Sequence, residues 1–294
     1  LKKSPDHFQR IGLVGNAEKS ACAASVRAAA QLIQRTGRKV FCDAVTAQTA
    51  RLKCEVRADA AALAKETDLL LIFGGDGTML HAARQIAGSK TPMLGVNIGS
   101  LGFLTAIPSD KLAVALKLIW AGEYKFESRA LIEATGVGHG KKLKATALND
   151  IVVTRGAVSR LIALDVTVNG ELVTRYRCDG LIISSPTGST AYSLAAGGAI
   201  VLPTADVFAL TPICPHALSN RSIILPLSAT IRVKAINALP AAFLNADGQS
   251  VGEMDAGDEV TIRRSHHSVR LMRLADSSFL EAMRRKLHWR GTYL

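Results

Sequence analysis

The residues best equipped for chemistry stand in glycine-rich stretches. Gly74-Gly75-Asp76-Gly77-Thr78 follows the apolar run Leu69-Leu-Leu-Ile-Phe73. Glycines between a strand and a helix bring uncovered backbone N–H groups to a phosphate. No lysine follows them, so this is not a Walker A loop. The informative residue is the carboxylate. It would repel a phosphate, so Asp76 either helps to hold a metal or accepts a proton from an attacking hydroxyl. The plainer reading of these five residues is a tight strand–helix turn with Asp76 as the helix cap.

A longer tract runs from Asp179 to Gly198, in which the short strand Leu181–Ile183 leads into Ser184-Ser-Pro-Thr-Gly-Ser-Thr-Ala-Tyr-Ser-Leu-Ala-Ala-Gly-Gly198. Small, hydroxylated residues cannot build a core. They can bring amides and hydroxyls close to a polar, phosphorylated ligand. Tyr192, the one aromatic of the tract, is suited to stack on a base or bond a ribose. Two weaker signals accompany these. Gly95-Val-Asn-Ile-Gly99-Ser-Leu-Gly102-Phe-Leu-Thr105 is a second glycine-rich turn, explained as well by turn geometry as by ligand contact. Asn149-Asp150 precedes the apolar Ile151-Val-Val153; such a pair can take a ribose diol, and an ordinary turn has the same composition. The stretches point to a nucleotide-handling enzyme whose site draws on two distant parts of the chain.

The elements that must carry these residues change character along the chain. Ile11–Val14, Lys39–Asp43, Asp68–Phe73 and Pro92–Asn97 read as strands, alternating with helices over Ser20–Arg35 and Met79–Ala87 and followed by one over Lys111–Trp120. That alternation predicts a parallel, Rossmann-like sheet covered by helices, and the unbroken apolar run before Gly74 suits a strand buried on both faces. From about residue 126 the pattern turns to strands: Ala130–Val137, Lys144–Arg155, Ile162–Asn169, Glu171–Tyr176, Ala229–Ile236, Val260–Arg263 and Val269–Leu274. Asn169-Gly170 between two of them marks a hairpin. Ser277–His288 reads as a terminal helix, capped by Ser277 or Ser278, with Arg284, Arg285 and Lys286 as its solvated end. The expected division is an α/β domain over 1–125, joined by 276–294, and a β-rich domain over 126–275.

Composition narrows the class. With 294 residues, 48% of them apolar, the chain has material for two cores. Its net charge of +12 sits at the ends: residues 1–40 hold eight Lys and Arg against two Asp and Glu, a balance of +6, and residues 260–294 repeat that count. Phosphorylated substrates account for such a bias; nucleic acid is not expected, since no zinc finger, RNA-recognition aromatic motif or basic heptad helix occurs. The five cysteines are spread out, with no C-x-x-C pair, which argues against a disulfide framework and a zinc site. No apolar run reaches eighteen residues and Leu1–His7 lacks an apolar leader core, so a cytoplasmic protein without membrane spans is expected.

Taken together, four blocks carry a resemblance: Gly74–Thr78, Asn149-Asp150, Asp179–Gly198 and Thr211-Pro-Ile-Cys-Pro-His-Ala-Leu-Ser-Asn-Arg221. In this order the chain resembles the bacterial NAD kinase (ATP-NAD kinase) family over nearly its whole length. The first block is shared with diacylglycerol, sphingosine and phosphofructokinase-like kinases; the long tract is specific to NAD kinases. The resemblance implies transfer of the γ-phosphoryl group of ATP to the 2′-hydroxyl of the adenosine ribose of NAD, giving NADP. It also implies an α/β N-terminal domain, a β-rich C-terminal domain, a final segment packed back on the first, and a homodimer or homotetramer.

Residue by residue, Asp76 matches the catalytic proton acceptor and, with Gly77, an NAD contact. Asn149 and Asp150 match the pair that holds NAD. Arg160, Arg177, Asp179, Thr190, Ala191, Tyr192, Ser193, Leu194, Ala195 and Gln249 align with further NAD contacts. Backbone N–H groups of Gly74, Gly75, Gly77 and Thr78, with those of residues 99–102 beside them, would cradle phosphates, and Mg²⁺ or another divalent cation would arrive with ATP. Asp150 is shorter by one methylene than the Glu common there, and Ala195 and Ala199 stand where Ser and Pro are common. His216 is read as structural. The rivals are a diacylglycerol-type lipid kinase, which the tract around Tyr192 disfavours, and a dinucleotide-binding regulator without catalysis, to which Asp76 would be of no use.

Overall fold

Leu69–Gly74 is buried at every position, as a strand covered on both sheet faces must be. It lies at the centre of a parallel sheet. The computed structural model of the chain describes residues 8–17, 20–99, 102–156, 160–217, 219–237, 241–275 and 277–289. The N-terminal heptapeptide, Ser100, Leu101, Asp276 and residues 290–294, all part of the sequence expectations above, lie outside the described residues. Two compact units emerge, one up to Ser128 and again from Val269, the other over Arg129–Ser268.

The first unit begins with β1 (Arg10–Gly15), α1 (Ser20–Gln34), β2 (Lys39–Asp43), α2 (Ala44–Ala50), β3 (Glu55–Arg57) and α3 (Ala60–Glu66). It continues with β4 (Leu69–Gly74), α4 (Asp76–Gln85), β5 (Met93–Asn97), β6 (Ile107–Pro108) and α5 (Leu112–Trp120). The strands are all parallel, in the order β3-β2-β1-β4-β5-β6. Leu69, Leu71 and Phe73 join a core with Val26, Ala29 and Ile33 of α1 and Leu116 and Ile119 of α5. Alternate residues face opposite ways, so Leu70 and Ile72 serve the other face, where α3 and α4 pack together. The chain first builds outward from β1 through β2 and β3, then resumes on the other side of β1 with β4. That reversal makes the carboxyl ends of β1 and β4 a topological switch point, the place where open α/β sheets bind ligands.

The second unit uses antiparallel strands. In order come β7 (Tyr124–Gly138), which begins in the first unit, β8 (Lys141–Ala147), β9 (Asp150–Arg155), β10 (Ile162–Val168), β11 (Glu171–Cys178) and β12 (Gly180–Ser184). The short α6 (Tyr192–Ala195), β13 (Val207–Ile213), β14 (Ile223–Pro226), β15 (Ile231–Ala235), β16 (Ala242–Ala246), β17 (Gln249–Met254) and β18 (Glu259–Leu274) follow. One sheet runs β14-β13-β12-β9-β16-β17; β11-β10-β15-β18 run alongside one another in the other. Ile151, Val153, Leu181, Ile183 and Leu244 of the first meet Leu164, Val166, Val233 and Ile262 of the second in one core. Asn169 and Gly170 take φ of 52° and 90°, the doubly positive turn their types require.

Three expectations need correction. Lys144–Arg155 is not one strand: the chain bends at Leu148-Asn149 between β8 and β9. Val260–Arg263 and Val269–Leu274 are two parts of the single strand β18, which pairs with β15 at its start and with β5 at Leu271. The last helix is α7 (Phe279–Lys286), and although Ser278 holds its cap position, no side-chain cap bond forms. The helix belongs to the first unit, whose Lys125 ammonium donates to the Ser277 carbonyl at 2.9 Å. Among the described residues no helix is long and apolar enough to cross a membrane.

Candidate active site

Gly74 ends β4 at the switch point, and its missing side chain is filled by Thr78: a Cβ there would overlap the threonine side chain. Thr78 is also reached by the Asn16 amide, at 3.4 Å, from the end of β1. The helix begins three residues earlier than the sequence suggested, at Asp76, with Gly75 as its cap residue. Asp76 therefore sits in the first turn of α4, where the helix offers N–H groups without intrahelical partners. Gly77 faces open space, with no atom within 4 Å of a Cβ built on it.

The Asp76 carboxylate does not cap its own helix. Oδ2 accepts the Phe103 N–H at 2.8 Å; Oδ1 accepts those of Leu104 at 3.0 Å and Thr105 at 3.3 Å. The second glycine-rich turn thus has a specific use, which sequence reasoning missed: it folds its amides around the carboxylate. Gly102 is part of that approach, since a Cβ there would overlap the Asp76 carboxylate. Thr105 Oγ1 accepts the Gly102 N–H at 3.0 Å, and the Asn97 amide, at the end of β5, donates to the Gly99 carbonyl at 2.7 Å. Of the four lone-pair directions of a carboxylate, three are filled, and among the described residues nothing takes the fourth, on Oδ2. A cation needs several oxygen ligands. Among the described residues no group of three or more His, Cys, Asp or Glu is placed to hold one.

In the second unit the bend at Leu148-Asn149 is clasped from two sides. Asp247 accepts the N–H groups of Leu148 (3.0 Å), Asn149 (2.7 Å) and Asp150 (3.3 Å) and returns its own N–H to the Asp150 carbonyl at 3.0 Å. It holds this position on the hairpin turn Asp247-Gly248, with φ of 47° and 75°. From the other side, Ser185 donates its N–H to the Asn149 carbonyl at 2.8 Å and its hydroxyl to the Leu148 carbonyl at 2.5 Å. Gly188 lies so close to Asn149 that a Cβ would overlap its backbone. Asn149 and Asp150 are both buried. Burial, and then the neighbouring Asp247 charge, push the Asp150 carboxyl up to about 7.

The structure thus brings residues 148–150, 184–188 and 247 together and puts Gln249, exposed, two residues beyond the clasp. Thr190 ends the short 3₁₀ turn Thr187–Thr190, and Ala191 leads into α6. Tyr192 stands 45% exposed and Ala195 is exposed; Leu194 is half-buried. Ser193 instead turns inward, 3.0 Å from the Thr211 hydroxyl, which itself lies 2.8 Å from that of Ser222. Asp179 accepts the Arg155 guanidinium at 2.6 Å. Arg160 and Arg177 are exposed, and the Arg177 carbonyl accepts the N–H of exposed His216 at 2.8 Å. Asp247, which sequence reasoning passed over, is the residue that builds the Asn149-Asp150 bend; its only sequence signal was the Asp-Gly turn before Gln249.

Known proteins match the chain in sequence and fold. The model of the ATP-NAD kinase N-terminal domain matches residues 11–124, and that of the C-terminal domain matches residues 148–274. The chain belongs to the NAD kinase family. The NAD kinase of Methylibium petroleiphilum is 39% identical, over 96% of this chain and 95% of its own length; that of Moorella thermoacetica is 41% identical over 97% and 91%. Among solved structures, yeast NADH kinase complexed with NADH superposes with a TM-score of 0.89 at 25% identity, covering 98% of this chain and 90% of the yeast one. An Archaeoglobus fulgidus NAD kinase in complex with ATP shares the fold at a TM-score of 0.75, with 24% identity over 96% and 100%. As an NAD kinase the chain is an enzyme of phosphoryl transfer, and the lipid-kinase and non-catalytic readings are not favoured.

Proposed function

We propose that the chain transfers the γ-phosphoryl group of ATP to the 2′-hydroxyl of the adenosine ribose of NAD, with Asp76 orienting that hydroxyl and accepting its proton. The observation that carries this reading is the Asp76 carboxylate, held by three amides at the carboxyl end of β4 with one lone pair of Oδ2 left over. As the ribose oxygen bonds to the γ-phosphorus, the bond from that phosphorus to the bridging β-oxygen breaks and ADP leaves. The hydroxyl proton passes to Oδ2. Phosphoryl transfer has a loose transition state, so the oxygen needs little activation beforehand and a fixed, late acceptor suffices.

The amides of Gly74, Gly75 and Gly77 would face phosphate at the start of α4, with that of Thr78, which also donates to the Gly75 carbonyl at 3.1 Å, beside them. Asn149 and Asp150 would hold NAD, with Arg160, Arg177, Asp179, Thr190–Ala195 and Gln249 as further contacts. Asp150 is suited to donate as well as accept a hydrogen bond near neutral pH, as a ribose diol needs both. Mg²⁺ or another divalent cation would travel on the ATP phosphates and neutralise charge there, since Asp76 is already committed to amides. The division into a phosphate-loop domain (1–125 with 276–294) and an NAD-binding domain (126–275) belongs to this reading, as do a cytoplasmic homodimer or homotetramer.

An end-point assay tests the substrates. The purified chain is given Mg-ATP with NAD, with diacylglycerol, or with NADH, and polyphosphate replaces ATP in a parallel series. NADP formed from ATP and NAD supports the reading; phosphorylated diacylglycerol without NADP would overturn it.

A further inference from the structure

The turn that wraps Asp76 is itself held from behind by the end of the chain. Arg273, near the end of β18, donates from Nη2 to the Phe103 carbonyl at 2.8 Å. Its Nε lies 3.6 Å from the Glu127 carboxylate, and its side chain is only 12% exposed. Phe103 also meets the Phe279 ring of α7 at 6.0 Å between centroids, with the Lys286 ammonium 5.2 Å from its own. The Phe103 carbonyl and the Leu104 N–H belong to one peptide group. Its oxygen faces the Arg273 guanidinium and its N–H faces Asp76 Oδ1 at 3.0 Å. A single planar unit therefore links a half-buried cation to the carboxylate. Hydrogen bonds joined through one peptide polarise each other, so the cation strengthens the N–H that fixes Oδ1.

We propose that Arg273 is a positioning residue for phosphoryl transfer: it fixes the Phe103–Leu104 peptide, which turns the Asp76 carboxylate so that Oδ2 is presented to the substrate hydroxyl. This rests on the role of Asp76 proposed above. Phe279 and Lys286 hold the same turn through the Phe103 ring, so the last strand and helix serve the reaction although the sequence gives them no chemistry of their own. Arg273 touches no reacting atom. Its removal should lower the rate of transfer without weakening substrate binding.

The test compares Arg273→Met, Arg273→Lys and Asp76→Asn in steady-state kinetics with NAD and Mg-ATP, together with hydrogen exchange of the amides of residues 103–105. Arg273→Met should lower kcat about tenfold or more, the scale on which a small misplacement of a reacting group acts, with both KM values within about twofold. Exchange at residues 103–105 should rise by at least about tenfold, as expected of a turn that has lost its anchor. Arg273→Lys, which can still donate to the Phe103 carbonyl, should recover most of kcat and of the protection. Should the Met variant not fold, the Lys variant together with Phe279→Leu reads the same two quantities. An Arg273→Met enzyme with unchanged kcat, or with unchanged exchange at residues 103–105, overturns the inference. If Asp76→Asn is inactive in that case, the inference alone has failed. If Asp76→Asn itself turns over within tenfold of wild type, the reading beneath it has failed as well.

Discussion

Asp247 holds Asn149 in place from 98 residues further along the chain: its Oδ1 accepts the Asn149 N–H at 2.7 Å and the Asp150 N–H at 3.3 Å, while Oδ2 takes that of Leu148 at 3.0 Å. Three consecutive amides share one carboxylate, which with Ser185 on the other side holds the bend that ends β8 and starts β9. Replacing Asp247 by Ala leaves those donors without their acceptor, which costs about 1–3 kcal/mol of stability. The KM for NAD should rise more than kcat falls, because the Asn149-Asp150 pair loses its position while Asp76 keeps its own. Urea-unfolding midpoints and kinetics with varied NAD check both parts.

Asp150 gives stability a pH dependence of known sign. Its carboxyl is raised to about 7 in the fold, from an ordinary value of 3.8. Between these values the native state holds a proton that the unfolded chain has released. Its stabilising contribution is therefore fully present below about pH 4 and is lost as pH rises through about 7. Asp150→Asn cannot ionise. Its melting temperature should match that of wild type below about pH 4, and exceed it by a margin that grows as pH rises to 8. Equal differences between the two proteins at both pH values would contradict the buried, protonated carboxyl.

Two glycines of the first unit should respond in opposite ways. Gly102→Ala drives a methyl group into the Asp76 carboxylate, so kcat should collapse whether or not the fold tolerates the change. Gly77 has free space at its Cβ position in the first turn of α4, so Gly77→Ala should hold or raise the melting temperature, by the equivalent of about 0.4–1 kcal/mol. If substrate approaches through that space, as proposed above, its KM values should nevertheless rise. Melting curves and kinetics of the two variants separate packing from ligand contact.

The outline of the fold was legible because it rests on local patterns. The continuous apolar run Leu69–Phe73 announced a strand buried on both faces, and Asn169-Gly170 announced its hairpin. Helices α2 and α3 escaped notice, since each has seven residues, too few for a helical period to stand out. Strand β18 read as two because Arg263-Arg-Ser-His-His-Ser268 is polar in the middle, although Ser265 within it is buried. Of the candidate site, Asp76 stood out because a carboxylate beside a phosphate loop needs a reason, whereas Asn149-Asp150 has the composition of an ordinary turn and gained a role only through the family resemblance. Contacts made at long range were not legible. Gly102–Thr105 looks like any turn until its amides meet a carboxylate 27 to 29 residues earlier, and Asp247 looks like any hairpin corner. Bonds from backbone N–H groups to a distant side chain leave no mark on the donors' own residue types.

The role of Asp76 is tested most directly by the turnover of Asp76→Asn, with NAD affinity measured by calorimetry on the same sample. The amide group keeps the shape of the carboxylate but cannot accept the ribose proton. The expected result is a loss in kcat of at least about a hundredfold, the lower range for a proton-transfer group, with NAD bound within a few-fold of the wild-type affinity. An Asp76→Asn enzyme turning over within tenfold of wild type would contradict it.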